Sequence, residues 1–215
     1  RQSPKGIVAH LSGDAKMKVT DVQIHHVEWE RGPYHWRDGI MPSGAMARSA
    51  LLRVFTDEGV EGLSVLDLYA GSGSFGLEAL RRGAARVVMV EKHHRRCEEL
   101  KMAVAKLSAE ARGRVVRGDA LRSISLLEGP FDVVFADPPY ADDPFEVLLE
   151  KLVENSLFAA DGTVFLEHFH KTEMPEAMSG LRLVTRRQYG DSAISVYRPE
   201  QGRRHESEAE TGEGA

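Results

Sequence analysis

The sequence contains a single cysteine and no long apolar run. Cys97 alone excludes an intrachain disulfide framework and a cysteine-based zinc site. No stretch approaches the roughly 18 apolar residues that span a bilayer, and no signal-peptide pattern opens the chain. At 215 residues, of which 42% are hydrophobic, the chain is long enough to bury a core without metal or disulfide support. These features predict a cytoplasmic protein without a membrane anchor.

The net charge of −5 is unevenly distributed. Residues 81–122 hold twelve Lys or Arg and five Asp or Glu, a local balance of +7. Residues 200–215 hold five Glu and two Arg, a balance of −3. A basic region inside an acidic chain is found in nucleic-acid-binding proteins, and it is equally common on solvated surfaces. Charge alone leaves both interpretations open.

The composition divides the chain into three parts. Residues 1–40 form an atypical appendage, with a strand or hairpin predicted from the alternating pattern near 18–24. Residues 41–199 form the main domain, which is predicted to begin with a helix capped by Ser43 and extending to about Phe55. The Glu- and Gly-rich residues 200–215 are predicted to be a disordered tail.

Beyond residue 64, short apolar runs alternate with amphipathic helical segments. The predicted strands are 65–68, 86–91, 115–116, 131–136, 163–167, 181–188 and 192–197. Repeated βα units favour a parallel sheet, and the turn between the last two strands predicts a hairpin. The sequence therefore predicts an α/β fold with a mostly parallel seven-stranded sheet, a C-terminal antiparallel hairpin and helices on both faces.

A glycine-rich loop lies between the first of these strands and the following helix. Gly71-Ser-Gly-Ser-Phe-Gly76 has the spacing G-x-G-x-x-G, and Glu91 lies twenty residues beyond Gly71. This pattern predicts a nucleotide cofactor. Asp67 stands four residues before Gly71, where a carboxylate would repel a pyrophosphate but attract the ammonium and sulfonium of S-adenosylmethionine. S-adenosylmethionine is therefore favoured over NAD, and a nicotinamide oxidoreductase is kept as a rival hypothesis.

Carboxylates at the ends of the next two strands suit the rest of such a cofactor. Glu91 is predicted to accept hydrogen bonds from the ribose hydroxyls, and Asp119 from the adenine amino group. The predicted cofactor-binding residues are Asp67, Tyr69, Ala70, Gly71, Ser72, Gly73, Glu91, Lys92, Asp119 and Ala120.

Asp137-Pro138-Pro139-Tyr140 follows the fourth predicted strand, at the edge where open α/β sheets bind ligands. Two prolines remove two N–H donors and stiffen the turn, so a carboxylate and bare carbonyls remain as acceptors. Such acceptors suit the exocyclic amine of a nucleobase, whose lone pair is delocalised until both N–H bonds are held. Tyr140 is predicted to stack on the extruded base. The four residues are the predicted catalytic set, and they act by positioning and electrostatics.

Together these motifs resemble the RsmD-type small-subunit rRNA methyltransferases. The resemblance rests on residues 67–80, on Arg82-Gly-Ala84, on Val90-Glu91 and on the Asp-Pro-Pro-Tyr motif, and residues 189–195 are similar to the closing hairpin of that family. It implies a Rossmann-like class I fold and S-adenosylmethionine-dependent methylation of a guanine N2. The implied partner is small-subunit rRNA or an assembling small ribosomal particle, and the protein is expected to be a monomer.

The resemblance also extends to Arg48-Ser-Ala-Leu-Leu52, which is similar to the first helix of the family. It implies that Arg48, together with Tyr140, binds the substrate. Residues 1–40 depart from the family, because they lack its short basic segment of Gly and Arg.

Two further hypotheses remain open at this stage. One is methylation of adenine N6 in DNA or RNA, which the same tetrapeptide also serves. The other is an RNA-binding assembly factor without turnover. Glu167 and His168 end a predicted strand on the cleft side and are candidates for a minor substrate contact. His168 and His170 have the spacing of two ligands on one strand face, but no third ligand is evident, and we predict no metal site.

Overall fold

The computed structural model describes residues 19–30, 34–36, 39–41, 46–56, 62–139 and 144–200. Side chains are described from residue 62 onward. Tyr140 and the predicted tail beyond Glu200 lie outside the described residues, and so does the side chain of Arg48.

The described residues form twelve strands and four helices. The strands are β1 Val19–Glu30, β2 Tyr34–Trp36, β3 Gly39–Met41, β4 Met46–Thr56, β5 Ser64–Leu68, β6 Arg86–Glu91, β7 Gly113–Arg117, β8 Phe131–Ala136, β9 Phe158–Phe169, β10 Ala177–Met178, β11 Leu181–Tyr189 and β12 Ser192–Pro199. The helices are α1 Ser74–Arg81, α2 His94–Lys106, α3 Ala120–Ser123, which continues into a 3₁₀ turn Ile124–Leu126, and α4 Phe145–Glu154.

Eight of the described strands form one sheet in the order β10-β11-β12-β9-β8-β5-β6-β7. Strands β5 to β9 run parallel, and β12 inserts antiparallel between β9 and β11. The predicted α/β fold, with its parallel sheet and terminal hairpin, is confirmed. The eighth strand is the two-residue β10 at the sheet edge, which was too short to leave a periodic signal in the sequence.

Two hydrophobic layers cover the two faces of this sheet. One layer contains Ala79 and Leu80 of α1, Leu100 and Val104 of α2, and strand residues such as Val65. The other contains Leu148, Leu149 and Leu152 of α4 packed against Leu66 and Val134. Because side chains alternate along a strand, neighbouring residues serve opposite layers. Cys97 is buried in α2, and its thiol donates a hydrogen bond to the Glu91 carbonyl, so it is part of this packing.

The N-terminal part differs from the prediction in one element. The strand predicted near 18–24 is confirmed and extends through Glu30, but the helix predicted between Ser43 and Phe55 is wrong. Residues 46–56 form β4, which pairs antiparallel with β1 from Met46–Glu30 to Thr56–Val19. The long β1 supplies backbone partners for the whole segment, and tertiary pairing then overrides a weak helical pattern. Residues 48–52, which resemble the first helix of the family in sequence, are for the same reason part of a strand here.

No helix in the described part of the chain is long and apolar enough to cross a bilayer.

Candidate active site

Acidic side chains mark the carboxyl ends of five consecutive strands. Asp67, Glu91 and Glu167 lie within the last residues of β5, β6 and β9. Asp137 follows β8 directly, and Asp119 lies two residues beyond the end of β7. Since β7, β6, β5, β8 and β9 are neighbours in the sheet, these carboxylates form a row along one edge. Ligands of open parallel sheets bind at this edge.

The loop after β5 is bent by three residues with positive φ. Tyr69, Gly71 and Gly73 have φ values of 60°, 56° and 79°. Tyr69 is a non-glycine residue in this region, and such strain is retained mainly at functional sites. The Ala70 N–H donates to the Val90 carbonyl at 2.9 Å, and the Gly73 N–H to the Ala70 carbonyl at 2.7 Å. The predicted loop therefore begins where β5 and β6 end, directly before α1.

Glu91 ties this loop to the start of α2. Its carboxylate is buried and accepts the Gly71 N–H at 2.9 Å and the His93 N–H at 2.7 Å. Each oxygen thus holds one backbone donor and keeps further acceptor capacity. The predicted contact with ribose hydroxyls is compatible with this arrangement, and the second role, clamping the loop, was not predicted.

Asp67 holds the first turn of α1 against the sheet. Its Oδ2 accepts the Gly76 N–H at 2.9 Å, and the residue is buried. Burial raises the pKa of Asp67 to about 7; the Gly76 N–H opposes this rise, and the negative charges of Asp137 and Glu91 add to it. A Cβ at position 76 would lie 2.6 Å from Met89 Cγ, so glycine allows the helix to approach this closely.

The remaining predicted cofactor residues surround this centre. Asp119 is exposed and caps α3 by accepting the Arg122 N–H at 3.1 Å. Its predicted contact with an adenine amino group would use the remaining lone pairs of that carboxylate. Ala70 and Ala120 are buried beneath the edge, and Ser72 and Lys92 are exposed beside it.

Asp137, Pro138 and Pro139 form the turn that leaves β8. Asp137 and Pro139 are exposed, and Pro138 is buried. Although solvent reaches Asp137, the protein groups around its carboxylate partly exclude water and raise its pKa to about 6. A carboxylate with a raised pKa at the ligand-binding edge is typical of a functional group.

Glu167 extends this acidic row onto β9. It is buried, and its carboxylate accepts a hydrogen bond from the Ser192 hydroxyl on β12. Burial raises the pKa of Glu167, and the negative charge of Asp137 raises it further, while the Ser192 bond lowers it. The sequence marked Glu167 only as a minor candidate, because its pairing with Asp137 depends on the strand order.

His168 belongs to the opposite layer of the sheet. Its side chain is fully buried, with Nε2 2.8 Å from Ser195 Oγ and the ring edge-on to Phe145 at a centroid distance of 5.6 Å. Its candidate role as a substrate contact is therefore wrong, because it stabilises packing away from the cleft. In the described ranges no three His, Cys, Asp or Glu side chains converge as a metal site would require.

The basic region 81–122 is largely engaged in internal contacts. Arg81 and Arg82 both bind Glu78, and Arg95 binds Glu99 at 3.0 Å on α2. The Arg112 guanidinium donates to backbone carbonyls at the end of α1 and in the following turn. Part of the region's positive charge is therefore balanced on the helices themselves, and part lies at the acidic edge, where Lys92 is exposed and the Arg96 guanidinium is 4.0 Å from the Glu91 carboxylate.

The chemistry of the donors decides which cofactor this edge fits. The N–H groups of Gly71 and Gly76 already donate to Glu91 and Asp67, so the loop does not offer them to a pyrophosphate. Like-charge repulsion within the acidic row would be relieved by a cationic ligand. The residues therefore fit the ammonium and sulfonium of S-adenosylmethionine and do not fit a dinucleotide diphosphate.

The chain is similar in sequence to one family model and to curated rRNA methyltransferases. A family model described as "Conserved hypothetical protein 95" matches residues 34–198. The "Ribosomal RNA small subunit methyltransferase D" of Escherichia coli (strain K12) is 30% identical over 135 residues, covering 63% of this chain and 68% of that protein.

Solved structures are similar to this chain in fold. A conserved hypothetical protein from Streptococcus pyogenes is 34% identical with a TM-score of 0.62, covering 65% of this chain and 88% of that one. A SAH-bound methyltransferase from Podospora anserina, PaMTH1, is 15% identical with a TM-score of 0.53 over 64% of this chain and 72% of its own, and shares the fold alone.

Proposed function

The chain belongs to the family described as "Conserved hypothetical protein 95", and from this membership we propose that it is an S-adenosylmethionine-dependent methyltransferase of small-subunit rRNA. The acceptor we propose is the exocyclic N2 amine of a guanine. Small-subunit rRNA methyltransferases among its relatives support the substrate class and, with it, a place of action in the cytoplasm. The resemblance to RsmD-type enzymes agrees with this assignment.

One observation carries the proposal. A strained glycine loop, whose Gly71 and Gly76 N–H groups donate to Glu91 and Asp67, lies on the strand next to the Asp137-Pro-Pro turn, on the same acidic edge. The first element suits a cationic methyl donor, and the second suits a neutral amine. Adjacent binding of donor and acceptor is the geometric condition for methyl transfer.

S-adenosylmethionine, when bound, supplies an electrophilic methyl group on a positively charged sulfur. Asp67, Glu91, Asp119 and the loop residues would hold this cofactor, and Asp137 would accept a hydrogen bond from the base amine. Holding the amine in this way localises its lone pair toward the methyl group. The proton released on methylation has carboxylates beside it that titrate near neutral pH.

The test is a labelling reaction. The full-length protein is incubated with methyl-labelled S-adenosylmethionine and small ribosomal particles that lack the modification, and the labelled nucleoside is identified after digestion. We expect label in N2-methylguanosine. The Asp137→Ala protein is expected to bind the cofactor with unchanged affinity and to lose at least a hundredfold in turnover, because the amine loses its acceptor.

The outcomes separate the hypotheses. Label in N6-methyladenosine would replace the guanine assignment with the adenine alternative, which the same tetrapeptide serves. No label in particles or in naked RNA, with cofactor binding intact, would contradict methyl transfer and favour an RNA-binding assembly factor. Tight NADH binding would contradict the choice of cofactor.

A further inference from the structure

We propose that Glu167 accepts the N1–H of the target guanine beside Asp137 and thereby selects guanine among purines. Ser192, at the start of β12, is the positioning residue that orients the Glu167 carboxylate. This inference rests on the proposed function and adds a specificity determinant to the same site.

The register of β8 and β9 places the two carboxylates side by side. Ala136 pairs with Leu166 in parallel register, so the next residues along the two strands are Asp137 and Glu167. Neighbouring strands are about 4.8 Å apart. Asp137 lies two residues after Phe135, and Glu167 lies two residues after Phe165; both phenylalanines belong to the same hydrophobic layer. Because side chains alternate along a strand, the two acids project to the same side of the sheet as Asp67.

Strand β12 of the closing hairpin is the third strand that contributes a residue to this arrangement. Strand β12 pairs with β9 so that Ile194 lies opposite Glu167, and Ser192 is two residues before Ile194 on the same side. The Ser192 hydroxyl donates to Glu167. The Tyr189-Gly-Asp-Ser192 turn, with Gly190 at a φ of 60°, therefore positions a donor for a site acid. The cofactor does not require Glu167, which is two strands away from the glycine loop.

Purine chemistry explains why a pair of carboxylates would discriminate. Guanine presents two neighbouring donors on its Watson–Crick edge, N1–H and the N2 amine. Adenine and 2-aminopurine present a lone pair at N1, which a carboxylate repels. Two adjacent acceptors therefore match guanine alone, and a site built for a donor rejects an analogue that lacks it.

The test compares guanosine with 2-aminopurine riboside at the nucleotide that the wild-type protein labels. 2-Aminopurine keeps the reacting amine but carries a lone pair at N1, and its lack of O6 affects every variant equally. We expect the wild-type protein to favour guanosine by at least tenfold in kcat/KM. In Glu167→Gln the amide N–H can pair with that lone pair, so the preference should fall at least tenfold, with unchanged cofactor affinity.

Two further variants make the result specific. Glu110→Gln changes an exposed acid in the turn before β7, at the opposite edge of the sheet, and should leave the preference unchanged. Ser192→Ala keeps the carboxylate but removes its orienting donor, and should reduce the preference by several-fold, so the inference stays testable if Glu167→Gln fails to fold.

An unchanged guanosine preference in a folded Glu167→Gln protein would overturn the inference while leaving the proposed function intact. If Glu167→Gln does not fold, an unchanged preference in Ser192→Ala has the same meaning. Failure of the wild-type protein to label any guanosine would overturn both.

Discussion

At the scale of single residues, the site contains carboxylic acids whose desolvation makes ionisation unfavourable. Asp67 is buried, bonded to one backbone N–H, and faces the charges of Asp137 and Glu91. Its pKa of about 7 means that the free protein holds this carboxylate half protonated near neutral pH. A cationic ligand stabilises the ionised form, so ligand binding and deprotonation of Asp67 are linked.

Cofactor affinity should therefore rise with pH. Between about pH 6 and pH 7.5 the ionised fraction of Asp67 increases by up to roughly tenfold, and S-adenosylmethionine affinity should increase several-fold with it. Asp67→Asn keeps an oxygen for the Gly76 N–H but removes the charge, so its affinity should be lower and should rise less steeply with pH in this range. Titration calorimetry at both pH values measures this. Equal pH dependence in the two proteins would contradict the assigned role.

At the scale of elements, glycine determines how closely α1 and α2 pack. Gly73 precedes α1 at a φ of 79°, and a Cβ there would collide with the Leu100 side chain of α2. Gly180, between β10 and β11, has nearly the same φ of 81° but open space around its Cβ position. Both positions have a left-handed backbone conformation, but only Gly73 is closely surrounded by other side chains.

This difference predicts unequal effects of the same substitution. Gly180→Ala should lower the free energy of unfolding by about 1 kcal/mol, the cost of a left-handed alanine. Gly73→Ala should lower it by about 2–4 kcal/mol, because overpacking against Leu100 adds to the strain. Urea denaturation of both variants checks the prediction. Equal losses would mean that α2 shifts without cost to accommodate the methyl group.

The elements also show how far sequence reasoning reaches. From residue 62 on, the strands and helices follow the apolar periodicity, and their order in the chain was enough to predict a parallel sheet. The helix predicted between Ser43 and Phe55 is wrong because β1 supplies a pairing edge that the segment itself does not reveal. The pairing of Asp137 with Glu167 was not predicted since it requires the register of β8 against β9. The division of the chain near residue 40 stays a prediction.

At the scale of the whole molecule, the acidic edge of the sheet lies next to the basic first turn of α2. Acids line the carboxyl edge of the sheet. Glu78, Glu98 and Glu99 pair with basic residues of their own helices, whereas Arg96 of α2 lies 4.0 Å from Glu91 at the edge. In the described part of the chain, no Lys or Arg forms an ion pair with Asp67, Asp137 or Glu167. Because desolvation raises the pKa of these three carboxylates, their ionisation destabilises the free protein.

Stability should accordingly fall as pH rises. Asp67 has a folded-state pKa raised from 3.8 to about 7, so its contribution is fully present below the unfolded value and is lost as pH passes the folded value. Between about pH 5.5 and pH 8 this amounts to about 2 kcal/mol for Asp67. Denaturant unfolding across this range should show a smaller fall in Asp67→Asn. Equal falls in both proteins would show that other groups dominate.

The position of β12 has a consequence for synthesis of the protein. This strand is the last of the sheet in chain order, yet it lies in the interior between β9 and β11 and carries Ser192 to the site. While the chain is still being translated, β9 has an open edge, and Glu167 lacks its orienting donor until the residues of β12 have left the ribosomal tunnel. A nascent chain halted before β12 can therefore hold the cofactor loop but not the complete base-recognition site. Under the proposed role of Glu167, the base-recognition site is complete only after β12 has been synthesised and has paired with β9.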